Sequence, residues 1–123
     1  MKKTTLVITI MMLIISMGCK KAADVQKTTE KTISVSLNKS DTLYNCSFGY
    51  FGDEESISII KQAKHSSISE IKNQHWEERI FQYQPKNNFI GLDTVIIETR
   101  KGTDGGAKPN LINNTIFIFR MNH

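Results

Sequence analysis

The sequence predicts an all-β domain, an antiparallel β-sandwich of about seven strands. From residue 32 onward, apolar and polar residues alternate with period two, and turn residues interrupt the pattern about every ten residues. Residues 94–100 and 113–121 are the strongest strands, since together they are rich in Ile, Val, Thr and Phe. With 123 residues, 39% of them hydrophobic, the chain can form one domain with a modest core. Short strands at this spacing are typical of a β-sandwich.

The individual strands follow from alternation and from the turns that separate them. Residues 38–41 and 52–55 are turn clusters, and residues 102–109 form a Gly-rich loop before the last strand. Residues 56–64 could form a helix with one apolar face, but their β-branched content favours a strand. The predicted strands are 33–37, 44–48, 57–59, 68–71, 79–84, 94–100 and 113–121.

The amino terminus has the pattern of a signal peptide. Two lysines follow Met1, and residues 6–17 are apolar except for Thr9 and Ser16. Twelve residues of helix span about 18 Å, which is short of the roughly 30 Å hydrocarbon core of a bilayer. The segment is therefore interpreted as a signal sequence rather than as a transmembrane helix.

The end of this segment, Ser16-Met17-Gly18-Cys19, resembles the lipobox of bacterial lipoproteins. Ser16 stands where Leu is usual, a relaxed form similar to that of the Bacteroidetes. The resemblance implies removal of residues 1–18, a covalent lipid on Cys19, and attachment to the outer membrane facing the periplasm, with surface exposure left open. Residues 19–31 would then be the lipidated cysteine and a polar tether, and residues 32–121 the domain. The alternative is an ordinary secretory signal with a coincidental cysteine.

Residues 81–97 are similar to a segment of bacterial Ig-like and cadherin-like domains. The resemblance implies a single Ig-like sandwich and roles in its architecture rather than in catalysis. Tyr83 would face the core, Pro85 would end a strand because it lacks an N–H, and Phe89 would fill the end of the sandwich. Gly91 would permit a backbone angle closed to other residues, and Asp93 would accept backbone N–H groups. The matching positions are Tyr83, Pro85, Phe89, Gly91 and Asp93, with Val95 and Ile97 in place of the usual aromatic residues.

The residues that could carry chemistry are scattered. Residues 19–123 contain 14 basic and 12 acidic side chains, so their net charge of +2 does not indicate nucleic-acid binding. The histidines are isolated, and residues 75–78 are interpreted as a solvated loop rather than a metal site. Cys46 alternates with Tyr44 and Phe48, which predicts an inward, unpaired thiol. We therefore expect no catalytic residues, no metal and no cofactor apart from the lipid.

Two segments are candidates for binding a partner. Trp76 lies in the polar turn 72–78, where an exposed indole could anchor another protein, although it could instead fold over the open end of the sandwich. The loop 101–110, with Lys101 and Asp104, is the second candidate. The leading hypothesis is an accessory subunit of an envelope protein complex. The alternatives are an immunity or inhibitor lipoprotein against a toxin or hydrolase and, third, a carbohydrate-binding domain.

Overall fold

The structure, a computed structural model, describes residues 26–38, 42–74, 78–102 and 109–123. Within these residues the chain forms seven strands and no helix, which confirms the predicted all-β fold. Residues 55–61 are extended, so the strand interpretation of this region is correct. The strands are β1 (Lys27–Leu37), β2 (Tyr44–Tyr50), β3 (Glu55–Lys61), β4 (Ser66–Gln74), β5 (Glu78–Pro85), β6 (Gly91–Gly102) and β7 (Pro109–Met121).

The strands form two sheets packed as a sandwich. One sheet has the order β1-β7-β6-β3 and the other the order β2-β5-β4. In the immunoglobulin arrangement the second, fifth and fourth strands share a sheet and the third, sixth and seventh form the other, as here. The first strand differs, because β1 pairs with β7 and runs parallel to it. The prediction of a wholly antiparallel sandwich is therefore wrong for this one pair.

The first strand also begins earlier than the sequence predicts. Residues 27–31, assigned above to the tether, are paired with β7 from Lys27 opposite Leu111 to Lys31 opposite Thr115. Most side chains of this half-strand are exposed, so it shows no apolar alternation. Its extended conformation comes from backbone pairing with β7, which local composition does not reveal. The structure therefore moves the start of the first strand from residue 32 to residue 27.

The core lies between the two sheets and is built largely of aromatic rings. Successive strand residues point to opposite faces, so every second residue of β5, β6 and β7 enters the interior. Tyr83 and Phe119 stack in parallel with ring centroids 3.8 Å apart. Phe117 contacts Phe81 at 5.1 Å between centroids. The fully buried hydrophobic side chains are Phe81, Tyr83, Val95, Ile97, Phe117 and Phe119.

The sandwich has two distinct ends. At one, which we call the hairpin end, β2, β4 and β6 finish and β1 begins, and the N–H of Gly102 bonds to the carbonyl of Glu54 at 3.1 Å. At the other, the far end, β1 and β7 finish side by side at Leu37 and Met121. Segments 62–65 and 86–90 lie at the far end, joined by a 2.9 Å bond from the N–H of Lys86 to the carbonyl of His65.

Candidate functional site

The outer face of the four-stranded sheet carries a row of aliphatic side chains. The inward side chains of β6 and β7 are buried, so their sequence neighbours point outward. A bulge between Ile59 and Lys61 places Ile60 beside Ile96 on the same face. Leu92 is 54% exposed and Ile60 51%, and Ile96, Ile116 and Ile118 are half-buried. We call this row the apolar stripe; it comprises Ile60, Leu92, Ile96, Ile116 and Ile118.

The outer face of the three-stranded sheet is different. Its side chains are mostly polar and bond to one another across or along the strands, with Ile68 and Ile80 half-buried among them. The amide of Gln82 donates to Asn45 at 2.8 Å, and Lys72 pairs with Glu70 at 3.2 Å. Polar groups that already have partners gain little from a new contact, whereas exposed aliphatic groups gain by leaving water. The apolar stripe is therefore the face that favours binding.

Cationic side chains surround the far end of the stripe. Leu92 lies directly opposite Arg120 on the neighbouring strand. Beside Leu92 is an open depression of ≈ 200 Å³. Ion pairs among the described residues join Lys72 to Glu70, Arg100 to Glu98 and Lys101 to Glu55, and none of them lies at the far end. The depression is lined by Lys61, Gln62, Lys64, His65, Leu92, Asp93 and Thr94.

A buried carboxylate, that of Asp93, stabilises the backbone that lines this depression. Asp93 is only 4% exposed, and its Oδ1 accepts the N–H groups of Lys64 at 2.9 Å and Thr94 at 3.1 Å. Its Oδ2 accepts the N–H of His65 at 2.9 Å and the hydroxyl of Tyr83 at 3.0 Å. Four donors occupy this carboxylate, so Asp93 fixes the loop that carries Lys64 and His65. It is a scaffold residue rather than a general base.

Burial and the Asp93 carboxylate both change the pKa of the Tyr83 hydroxyl. Removal of the Tyr83 ring from water disfavours the phenolate, and the hydrogen bond to Asp93 favours the protonated hydroxyl. Both effects raise the pKa of Tyr83 well above its ordinary value near 10. Tyr83 is therefore a neutral hydrogen-bond donor throughout the physiological pH range, and it ties the core to the far end.

The loop 86–91 packs against His65, one of the residues that line the depression. The imidazole of His65 stacks on the ring of Phe89 with centroids 4.3 Å apart and planes 8° from parallel. Asn88 has a φ of 64° and Gly91 a φ of 129°, two left-handed conformations that let the chain reverse before β6. Backbone bonds and ring stacking thus hold the far end in one shape. The positive φ at Asn88 was not predicted, although Asn is the residue that tolerates it best after Gly.

The other predicted residues lie away from this surface or outside the described residues. Lys101 is at the hairpin end, where its ammonium pairs with Glu55 at 3.3 Å. Pro85 is buried and is the last residue of β5. Cys46 has a free thiol, half-buried against the core. Cys19, Trp76 and Asp104 fall outside the described residues.

Sequence reasoning missed the apolar stripe, although a signal for it was present. Residues 95–97 and 116–119 are continuous apolar runs rather than alternating ones. Such runs indicate a strand that is apolar on both faces. In a two-layer sandwich one of those faces must point outward, so the runs mark a surface.

Two kinds of feature are absent from the part of the chain that the structure describes. No three of its His, Cys, Asp or Glu side chains come together in a way that could hold a metal ion. Nor does it contain a helix with the length and hydropathy needed to span a bilayer.

Comparison with known proteins gives likenesses of shape only. No protein-family model and no curated protein matches the chain. An endo-fucoidan hydrolase from glycoside hydrolase family 107 is similar over 73% of this chain and 12% of its own, with 11% identity and a TM-score of 0.48. The cysteine protease inhibitor EhICP2 from Entamoeba histolytica is similar over 76% of this chain and 95% of its own, with 14% identity and a TM-score of 0.44. The chain thus spans about an eighth of the length of the hydrolase.

Proposed function

We propose that this protein is a non-enzymatic, lipid-anchored interaction module, an accessory subunit of an outer-membrane protein complex that faces the periplasm. Its membrane contact would be the covalent lipid on Cys19, and it would use no other cofactor and no nucleic acid. The observation that carries the proposal is the apolar stripe on the outer face of the four-stranded sheet. A protein that binds through a preformed sheet face needs no moving part and no reactive group.

The stripe has the composition of an interface centre. Apolar groups at the middle with charged groups at the rim are the usual arrangement of protein–protein interfaces. Ile60 and Leu92 each expose about half of their surface, and each Å² of apolar area removed from water contributes roughly 25 cal/mol. Strand β6, which carries Leu92, pairs with β7 without a register shift from Gly91 to Lys101. Little ordering is therefore required on binding, which favours affinity.

The path of the chain orients this surface relative to the proposed anchor. Only residues 20–26 separate Cys19 from the start of β1, and seven residues reach about 25 Å at most. Lys27 is at the hairpin end, so that end would lie next to the membrane. The 13 residues of β7 then lead away from it, over about 40 Å at 3.3 Å per residue. The far end and its cations would point into the periplasm.

The test is recovery of the tagged full-length protein from native membranes in a mild detergent, with mass spectrometry of what accompanies it. The wild type is compared with the double variant Ile60→Ser/Leu92→Ser. Tyr50→Ser is the matched control, because Tyr50 is 67% exposed but lies on the other sheet. We expect a stoichiometric membrane partner with the wild type and the control, and its loss from the double variant.

Two results would contradict the proposal. Recovery of the lipoprotein without any stoichiometric partner would favour the immunity or inhibitor alternative, whose target arrives from outside and would form a one-to-one complex with a soluble enzyme. Retention of the partner by the stripe variant would show that the complex forms through another surface.

A further inference from the structure

We infer that the partner presents an acidic protein surface to the far end of the sandwich, where Lys61, Lys64 and Arg120 surround Leu92. This inference rests on the proposed function and specifies the chemistry of the partner. The geometry that supports it is the juxtaposition of an exposed leucine, a shallow depression and cations that have no ion pair with another described residue.

The distribution of charge along the sandwich is uneven. Asp53 and Glu54 lie in the turn at the hairpin end, and Glu55 and Glu78 begin β3 and β5 at the same end. Among the described residues at the far end, the only carboxylate side chain is Asp93, which is buried and bonded to four donors. Lys61, Lys64, Lys86 and Arg120 therefore have no ion pair with a described residue, which leaves their charges for a partner.

These cations are arranged around apolar surface rather than spread over the molecule. Leu92 lines the depression together with Lys61 and Lys64, and it lies across the ladder from Arg120. Lys86 is joined to the same loop by its backbone bond to His65. An acidic segment with apolar side chains would satisfy both features at once, since its carboxylates would meet the rim while its apolar groups cover Leu92.

A second copy of this chain with parallel strands is a poorer match than an acidic protein. Closed dimers place the same patch of both subunits face to face. A two-fold axis along the strands would put the two far ends at the same end of the dimer, with Lys61, Lys64 and Arg120 of each copy near those of the other. Such an arrangement brings like charges together, which disfavours it. A dimer with antiparallel strands would give coupling between two copies of this chain, and that result would overturn the inference.

An anionic membrane is also a poorer match than an acidic protein. Glu30 and Glu98 lie on the same outer face, flanking Asn114 on the two neighbouring strands. A lipid surface that covered this face would repel both carboxylates while it attracted the cations. A protein surface can place its own charges to suit each end.

The experiment uses the native lipidated protein in its detergent-extracted complex and a zero-length carbodiimide, which couples a lysine amine to a carboxylate in direct contact. We expect coupling from Lys61, Lys64 or Lys86 to Asp or Glu of the partner, lost at high salt because exposed ion pairs are screened. The variant Lys61→Glu/Lys64→Glu should retain the partner about tenfold less well, since two attractions become repulsions.

Three further samples make the result specific. Lys61→Arg/Lys64→Arg should retain the partner but lose coupling at those two positions, because Arg keeps the charge without the reactive amine. Lys27→Glu/Lys31→Glu changes the net charge equally on the exposed first half of β1 and should have no effect. Vesicles of an anionic phospholipid test the membrane as the alternative ligand.

The outcomes separate this inference from the proposed function. If the wild type retains a partner that is unaffected by Lys61→Glu/Lys64→Glu, or couples to it only through Lys27, Lys72 or Lys101, the inference is overturned and the proposed function stands. If the charge reversal abolishes vesicle binding but not partner retention, the surface binds lipid and the inference fails. If no partner accompanies the wild type, the proposed function fails and the inference fails with it.

Discussion

The hydroxyl of Tyr83 donates a 3.0 Å hydrogen bond to Oδ2 of Asp93, and this contact links the aromatic core to the loop that carries the far-end cations. On one side, Tyr83 stacks on Phe119 within the core. On the other, Asp93 accepts the backbone N–H groups of Lys64 and His65. The hydrogen bonds of the buried Asp93 carboxylate thus hold the loop that carries Lys64 in place.

Asp93→Asn should destabilise the domain by about 2–4 kcal/mol. The substituted amide retains one acceptor oxygen and turns an NH₂ group toward an N–H donor, which leaves buried donors unsatisfied. Asp53→Asn is the control, because Asp53 is exposed in the turn of the hairpin end. Urea unfolding followed by circular dichroism measures both. Equal stability of the two variants would show that the four bonds to Asp93 contribute little.

Stability should fall as the pH rises above about 10. The pKa of Tyr83 is raised in the folded state, first by burial and then by its bond to Asp93. Below the unfolded pKa near 10, both states carry the proton and the stabilisation is complete. Above it, the unfolded chain releases a proton that the folded chain keeps, so stability falls by up to about 1.4 kcal/mol per pH unit.

The variant Tyr83→Phe isolates this effect. It should be less stable than the wild type at pH 8 by about 1–2 kcal/mol, because one hydrogen bond to a carboxylate is lost. Its stability should decrease less steeply between pH 10 and pH 11. Burial also raises the pKa of Tyr44, so Tyr44→Phe serves as the comparison. Parallel pH profiles for the wild type and Tyr83→Phe would contradict the assignment.

Gly91→Ala should cost about 1–3 kcal/mol. Gly91 has a φ of 129°, a conformation that residues with a Cβ rarely adopt. An added Cβ would lie 3.5 Å from the Phe89 ring, an ordinary contact, so the cost comes from the backbone rather than from a clash. Gly52→Ala is the matched control, since its Cβ would meet nothing within 4 Å. Thermal unfolding should show a lower Tm for Gly91→Ala and little change for Gly52→Ala.

Much of the fold could be predicted from local pattern, because period-two alternation reports directly which face of a strand is buried. That rule placed strands at 44–48, 79–84 and 113–121, and it favoured a strand over a helix at 56–64. It fails at residues 27–31, whose side chains are mostly exposed and whose pairing partner is more than 80 positions away along the chain. Long-range pairing of a polar edge strand leaves no local signature.

The candidate surface was harder to predict, and the reason lies in how it is assembled. Leu92, Lys61 and Arg120 come from three different strands, and only the order β7-β6-β3 brings them together. Sequence reasoning instead emphasised Lys101, whose charge is already paired with Glu55. The hydrophobic runs of β6 and β7 show that an outer face is apolar, but the register is needed to show which charges border it.

Substitutions in the apolar stripe and in the core should separate binding from stability. Leu92→Ser removes a side chain that is 54% exposed, so the change in unfolding free energy should be within about 0.5 kcal/mol. Phe119→Ala empties a fully buried site stacked on Tyr83 and should cost about 3–5 kcal/mol. Chemical denaturation of both variants tests this. A large destabilisation by Leu92→Ser would show that the residue is part of the core and not a binding surface.

The two cysteines provide an internal control for the anchor. If Cys19 carries the lipid, Cys19→Ser should move the protein from the membrane fraction to the soluble fraction, because no acyl chain remains to hold it. Cys46→Ser should stay in the membrane fraction, since Cys46 is a free thiol half-buried against the core and its replacement only weakens packing slightly. Detergent phase partitioning and the intact mass of each variant measure the result. A wild type in the soluble fraction would overturn the lipid anchor. So would a wild type whose intact mass includes no acyl chains. Either result would leave the apolar stripe to be tested as the surface of a freely diffusing protein.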